Sequence, residues 1–274
     1  MSYINVGYIY TMARTFIDQL GNTIKLSDTP KRIVSLVPSQ TELLFDLRLD
    51  KEVVGITKFC IHPEGKVKGK AIVGGTKNFD TAKIASLKPD LIIANKEENY
   101  KEGIEALQKV CPVWVSDIQN VDDACEMILN IGEITDKSIF AAGLVKKIRR
   151  HFRLLKKGKG IRTAYFIWRK PYMSVGIDTF IHNIMNRGGF KNVFSDKKKY
   201  PIVSELELKR ANPELILLSS EPYPFDEKHI EEFKAICPDA KILLVDGELF
   251  SWYGSRMQYT VAYIQSLQEQ LQLN

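Results

Sequence analysis

A short helix, stopped by an X-Pro step and followed at once by an apolar run, occurs twice in this chain. No other feature constrains its fold as much. Leu87-Lys88-Pro89-Asp90-Leu91-Ile92-Ile93 in the first half matches Ala211-Asn212-Pro213-Glu214-Leu215-Ile216-Leu217 in the second. The residue before a proline is pushed out of the helical region, so each segment ends its helix and passes directly into a buried strand. Alternating strands and helices of this kind imply a mainly parallel sheet with helices on both faces. A chain of 274 residues has room for two such units, at roughly 150 residues per domain.

The rest of the pattern agrees. Thr15–Leu26 reads as a β-hairpin turning at Gly21-Asn22. Arg32–Leu36, Val53–Ile56, Ala71–Val73, Leu91–Ala94 and Val113–Val115 read as strands in the first half, and Thr163–Trp168, Leu215–Leu218 and Lys241–Val245 in the second. Ser39 is expected to cap a helix in a box with Glu42, and Thr81 to cap a short helix running to Leu87. Between Val121 and Leu155 strand-like runs vanish, while Ala124, Ile128, Ile131, Ile139, Leu144, Val145 and Ile148 recur at helical spacing. This predicts one long helix or two. The expected architecture is α/β, with two Rossmann-like lobes joined by a long helical connector in a clamshell. The lobes cover 15–120 and 158–274, and the connector 121–157.

Composition excludes several classes. No apolar run approaches the ~20 residues that span a bilayer, so membrane insertion is not expected. The net charge is +6, and the basic clusters Lys146–Arg150, Lys156–Lys159 and Lys197–Lys199 read as the solvated side of a helix and two loops. They lack the interleaved aromatics of a nucleic-acid surface, and no nucleic-acid partner is expected. Cys60, Cys111, Cys125 and Cys237 form no CxxC pair; they read as buried free thiols, with a single disulfide left open. Met1–Tyr10 carries no Lys or Arg, and Asn5 and Gly7 interrupt its apolar residues, so an ordinary export signal is not expected and the sequence as written reads as cytoplasmic. Met12 is an alternative start.

Lys31–Leu44, Val53-Val54-Gly55-Ile56-Thr57, Val73-Gly74-Gly75-Thr76-Lys77-Asn78 and Leu87–Ile93, in that order and spacing, resemble the helix-linked (class III) solute-binding proteins of ABC importers for iron-siderophores, haem and vitamin B12. The similarity runs from about Phe16 to the C-terminus. Asn95–Asn99, Ile167–Tyr172, Ser220–Phe225 and Asp246–Arg256 are similar to a B12-binding or metal-chelate-receptor subgroup. The resemblance implies two α/β lobes, a rigid helical connector, a modest hinge motion, a periplasmic setting and no catalysis. It also implies an ABC permease partner, met by an exposed Glu near the top of each lobe. The matching positions here hold Ala82 and Leu206, with Asp80, Glu205 and Glu207 one or two residues away.

In such a fold the loops at the carboxyl ends of the strands line the ligand cleft. That rule selects Phe59, Cys60 and His62; Thr76, Lys77 and Asn78; Glu97, Glu98 and Asn99; Trp168, Arg169 and Tyr172; Glu221 and Tyr223; and Trp252, Tyr253, Ser255 and Arg256. The set is aromatic and carries both charge signs, which suits a large flat ligand such as a corrinoid, haem or iron chelate, with no cofactor required. Arg169 and Arg256 are candidate clamps for carboxylates or phosphates. Each residue also has a structural reading. Trp168 ends an apolar strand and fills the core equally well. Glu97-Glu98 suits a helix N-terminus. Arg256 caps or pairs with the last helix instead. Trp252 and Tyr253, beside Gly254 in a loop, are read toward the cleft. For a metal, His62 and Cys60 are the one close soft pair, short of a closed site unless Glu97, Glu98, Glu221 or Glu248 joins them. His62 is also a candidate axial ligand to a bound tetrapyrrole. No catalytic motif is present. Three functions remain: the substrate-binding component of an importer, an intracellular corrinoid or metal-chelate receptor without a permease, and an enzyme acting in the interlobe cleft.

Overall fold

The computed structural model describes residues 13–272, so the stretch read for an export signal, Met12 included, lies outside the described residues. The chain divides into two units. The first runs to Asp117 and takes in Asn130–Ser138; the second comprises Ile118–Leu129 and Ile139 onward. In the first, strands β1 (Arg14–Ile17) and β2 (Thr23–Leu26) form the predicted hairpin. Then come β3 (Ile33–Ser35), α1 (Pro38–Asp46), β4 (Val53–Ile56), α2 (Glu64–Val67), β5 (Ala71–Ile72), α3 (Thr81–Ser86), β6 (Leu91–Asn95), α4 (Lys101–Gln108) and β7 (Val113–Ser116). The sheet is parallel throughout, in the order β5-β4-β3-β6-β7. Strands β3 and β6 are wholly buried, as expected of central strands covered on both faces.

The stretch without strand-like runs forms two helices, α5 (Val121–Ile134) and α6 (Ser138–Leu154). They break at Asp136, whose φ of 59° is left-handed. The second unit continues with β8 (Ile161–Trp168), β9 (Met173–Ser174), α7 (Phe180–Arg187), β10 (Phe190–Asn192), α8 (Glu205–Ala211), β11 (Leu215–Ser219), α9 (Glu227–Ile236), β12 (Lys241–Val245), α10 (Glu248–Ser251) and α11 (Met257–Gln270). Its sheet runs β10-β8-β11-β12 in parallel, with β9 antiparallel beside β8.

The internal repeat is carried down to single hydrogen bonds. Lys88 and Asn212, each just before its proline, take left-handed φ values of 48° and 42° and stop α3 and α8. The acid after each proline then ties the strand to its neighbour. Asp90 accepts from the backbone N–H groups of Lys31 and Arg32 at 2.8 and 2.9 Å, and Glu214 accepts from that of Arg162 at 3.0 Å. The guanidinium of Arg32 closes the end of α3 by donating to the Leu87 carbonyl, and that of Arg162 closes α8 by donating to the Ala211 carbonyl. An arginine, an X-Pro stop and a carboxylate thus recur as one device for joining helix to sheet.

Two expected caps differ. Val37, not Ser39, is the cap of α1, because Pro38 already occupies the first helical position, where its missing N–H costs nothing. Ser39 and Glu42 become buried positions inside the helix. Asp80 rather than Thr81 caps α3, accepting from the Lys83 N–H at 2.9 Å. Strands β9 and β10 and the one-turn helices α2 and α10 were not legible from pattern; at two to four residues each they are too short for periodicity to register. Among the described residues all four cysteines are free, three buried and Cys111 partly so. No helix among them is long and apolar enough to cross a membrane.

Candidate functional site

In the first unit the selected residues do sit beyond the carboxyl ends of β4, β5 and β6. Mostly neutral groups hold them there. The Asn95 side chain accepts from the backbone N–H groups of Glu97 and Glu98 at 2.8 and 3.0 Å, folding that loop, and donates to Ser116 Oγ at 3.0 Å. Asn99 Oδ1 accepts from the Asn95 N–H at 2.8 Å, while its amide donates to the carbonyls of Leu36 at 3.2 Å and Thr76 at 3.0 Å. One buried asparagine therefore joins the loops after β3, β5 and β6. Lys77 donates to the Glu97 carbonyl, and Gly74, at φ 110°, admits the close approach of the Asn78 carbonyl, which a Cβ would meet at 2.7 Å. Phe59 stands 51% exposed on the β4 loop, with the Lys58 ammonium 5.1 Å from its ring centre.

The Cys60 thiol is buried, lies 3.1 Å from Thr41 Oγ1 and 3.2 Å from Thr57 Oγ1, and burial raises its pKa. His62 is part-buried ahead of a cis proline. No group of three or more His, Cys, Asp or Glu among the described residues could hold a metal ion.

The second unit holds its loops with charges. Trp168–Tyr172 is not a strand-to-helix loop: it turns β8 back into antiparallel β9. Arg169 is engaged on both oxygens of Glu232, Nε at 3.1 and 2.8 Å and an Nη at 2.8 Å, and Tyr172 donates to the same carboxylate. Burial alone would raise the Glu232 pKa, but the Arg169 and Tyr172 hydrogen bonds overcome it and hold the carboxylate below its usual range. Arg256 pairs with Glu248 at 2.7 Å, both side chains mostly buried, and its guanidinium lies 4.9 Å from the Trp252 ring centre. The ion pair ties Arg256 to α10, and its side chain makes no capping bond to the last helix. Neither arginine is an uncommitted clamp for a ligand anion.

The tryptophans also sort differently from expectation. Trp252 is only 7% exposed and donates its indole N–H to Glu221 at 2.8 Å; Ser251 donates to the same oxygen at 2.7 Å. Tyr253 is buried edge-on to Phe180, and Ser255 is buried. Trp168 instead is 40% exposed, edge-on to Tyr223 at 5.8 Å. Tyr223 Oη in turn lies 3.0 Å from Nε2 of the buried His229. Burial pushes the Glu221 carboxyl above its usual range, against the pull of its two donors, and nearby Glu248 and Asp246 push the same way.

Sequence reading missed the buried polar layer beneath these loops. Gln40 donates to Ser116 Oγ, and Thr41 donates to Ser35 Oγ at 2.7 Å. In the second unit Tyr165 donates to Ser219 Oγ at 3.1 Å, and Ser219 donates to the Glu221 carbonyl at 2.7 Å. The one available signal was the polar ends of otherwise apolar strands: Ser35, Asn95, Ser116 and Ser219 all close a strand. At the positions matched to permease docking, Ala82 and Leu206 are exposed; Asp80 is spent as a cap, Glu207 is held by Ser204 and Lys197, and Glu205 stays on the surface.

Three comparisons bear on this arrangement. Residues 33–235 match the family model described as periplasmic binding protein. An uncharacterized ABC transporter substrate-binding lipoprotein, YvrC of Bacillus subtilis, is 28% identical over 74% of this chain and 68% of its own length. The vitamin B12-binding protein of Yersinia pestis is 24% identical over 69% of each. Among solved structures, a possible iron-binding (periplasmic solute-binding) protein from Staphylococcus epidermidis superposes with a TM-score of 0.73 at 25% identity, over 89% of this chain and 99% of that one.

Proposed function

The chain belongs to the periplasmic binding protein family, and from that premise we propose that it is the substrate-binding component of an ABC importer, taking a corrinoid, haem or iron chelate. The observation that carries the ligand class is the state of the loops beyond the sheets. Two large aromatics, Phe59 and Trp168, stand exposed in them beside Lys77 and Asn78, and their arginines are already matched by Glu232 and Glu248. Such loops favour a ligand with broad apolar faces over a compact anion, because a small anion would have to displace a carboxylate from each guanidinium.

Titration of the whole chain with cyanocobalamin, haemin and a ferric hydroxamate, read by ligand absorbance and tryptophan emission, tests this. At least one should bind with micromolar or better affinity, roughly −8 kcal/mol. Trp168→Ala should weaken that binding at least about tenfold and Phe59→Ala by a similar factor, as expected for exposed aromatic anchors. Trp252→Ala should act mainly on stability. Failure of all three ligands to bind at millimolar concentration, or wild-type affinity in Trp168→Ala, would overturn the reading.

A further inference from the structure

A strongly uneven charge distribution runs from α6 into the loop after β8. Between Lys137 and Ile177 the sequence carries twelve Lys and Arg and not one Asp or Glu. Helix α6 lies within this stretch and in the second unit from Ile139 on. Its inner face is packed through Ala141, Val145, Ile148 and Phe152. On the outer face Ile139, Lys146, Arg150 and Arg153 fall at i, i+7, i+11 and i+14, one stripe of a 3.6-residue helix, and all four are exposed. Ile139 is 86% exposed and Leu154, at the end of the same helix, 62%. Beside the stripe a groove of about 640 Å³ is rimmed by Lys146, Arg149, Arg153 and Arg187, with Asp122 as its one acid.

We propose that the outer face of α6 docks on an anionic phospholipid surface. The lysines and arginines meet the lipid phosphates, and Ile139 and Leu154 enter the headgroup boundary. Charge alone would serve any polyanion. The two large aliphatic side chains held open to water among the cations decide between partners, because that pairing is what lets a helix lie in a membrane interface. A nucleic acid would call instead for aromatic platforms among the cations. The docking face uses residues that the ligand loops do not, so its fate is separate from that of the ligand proposal.

Vesicle co-sedimentation of the whole chain is the test. Vesicles of phosphatidylcholine with about 30% phosphatidylglycerol should bind it, pure phosphatidylcholine should not, and raising salt toward roughly physiological strength should weaken the binding. Lys146→Glu with Arg150→Glu and Arg153→Glu should lower vesicle affinity at least about a hundredfold, at about fivefold per basic residue, with an unchanged melting temperature. Ile139→Ser should weaken vesicle binding severalfold yet leave binding to heparin unaltered. Equal binding to neutral vesicles, full binding by the triple variant, or an Ile139→Ser variant indistinguishable from wild type on vesicles would each overturn the proposal.

Discussion

The two units build the loops beyond the carboxyl ends of their strands from different chemistry. The first relies mainly on neutral side chains, with Asn95 and Asn99 bridging loops through hydrogen bonds to backbone and one ion pair, Lys96 with Asp117, beside them. The second uses charged ones, Arg169 with Glu232 and Arg256 with Glu248, and fastens Trp252 to Glu221. A neutral network loses a few hydrogen bonds when one member is removed. An ion pair out of water loses its partner's compensation as well, so its failure depends on burial and, at the surface, on salt.

The largest effect should come from Arg256→Ala. It strands Glu248 in a mostly buried place with Asp246 and Glu221 close by, at a cost of about 3 kcal/mol. Thermal unfolding should show the loss nearly unchanged between low and high salt, and adding Glu248→Ala should restore part of it. A loss under about 1 kcal/mol would mean that this pair behaves as an exposed one. Next is Asn99→Ala, which orphans the Asn95 N–H and the carbonyls of Leu36 and Thr76. A cost of about 2 kcal/mol is expected, independent of salt and of pH near neutrality. Salt sensitivity there would blur the contrast between the units.

Arg169→Ala should cost less, because both it and Glu232 keep roughly a quarter of their side chains in water. This loss alone should shrink as salt rises. If it matched Arg256→Ala in size, burial would not be what separates the two pairs.

The sequence carried the fold further than the site, for identifiable reasons. Pro89 and Pro213 announce two helix ends through rules that act on neighbouring residues, and the structure repeats them down to Lys88 and Asn212. Parallel-sheet strands such as Leu91–Ala94 and Leu215–Leu218 are apolar throughout and need no long-range information. The site depends on pairings across distance. Nothing local to Arg169 names Glu232, 63 residues on, and nothing near Trp252 says that its indole N–H reaches back 31 residues to Glu221. Hence sequence could place these loops at strand ends, while the direction in which Trp168, Trp252 and the two arginines face was out of its reach. The Ser39-Gln40-Thr41 run misled in the same way: a polar triplet before apolar residues reads as a cap, and here it is buried beneath the loops.

Glu221→Gln isolates the smallest difference between the units. The carboxyl is raised above its usual range by burial first, with Glu248 and Asp246 adding to it and the Ser251 and Trp252 donors opposing it. A carboxyl with a raised folded-state pKa favours the folded chain fully below the ordinary glutamate range, and loses that contribution as pH rises through the folded value. Gln keeps an oxygen that accepts from Trp252 and Ser251 but carries no charge to bury. The variant should therefore match or trail wild type in acid and gain on it as pH rises to neutrality, by about 1 kcal/mol or less. Melting temperatures of the two proteins across acid to neutral pH would show their difference changing in that direction. A wild type that gains on the variant with rising pH would mean that the ionised carboxylate is worth more to the Trp252 loop than its burial costs. The second unit would then be held by charge at its core as well as at its rim.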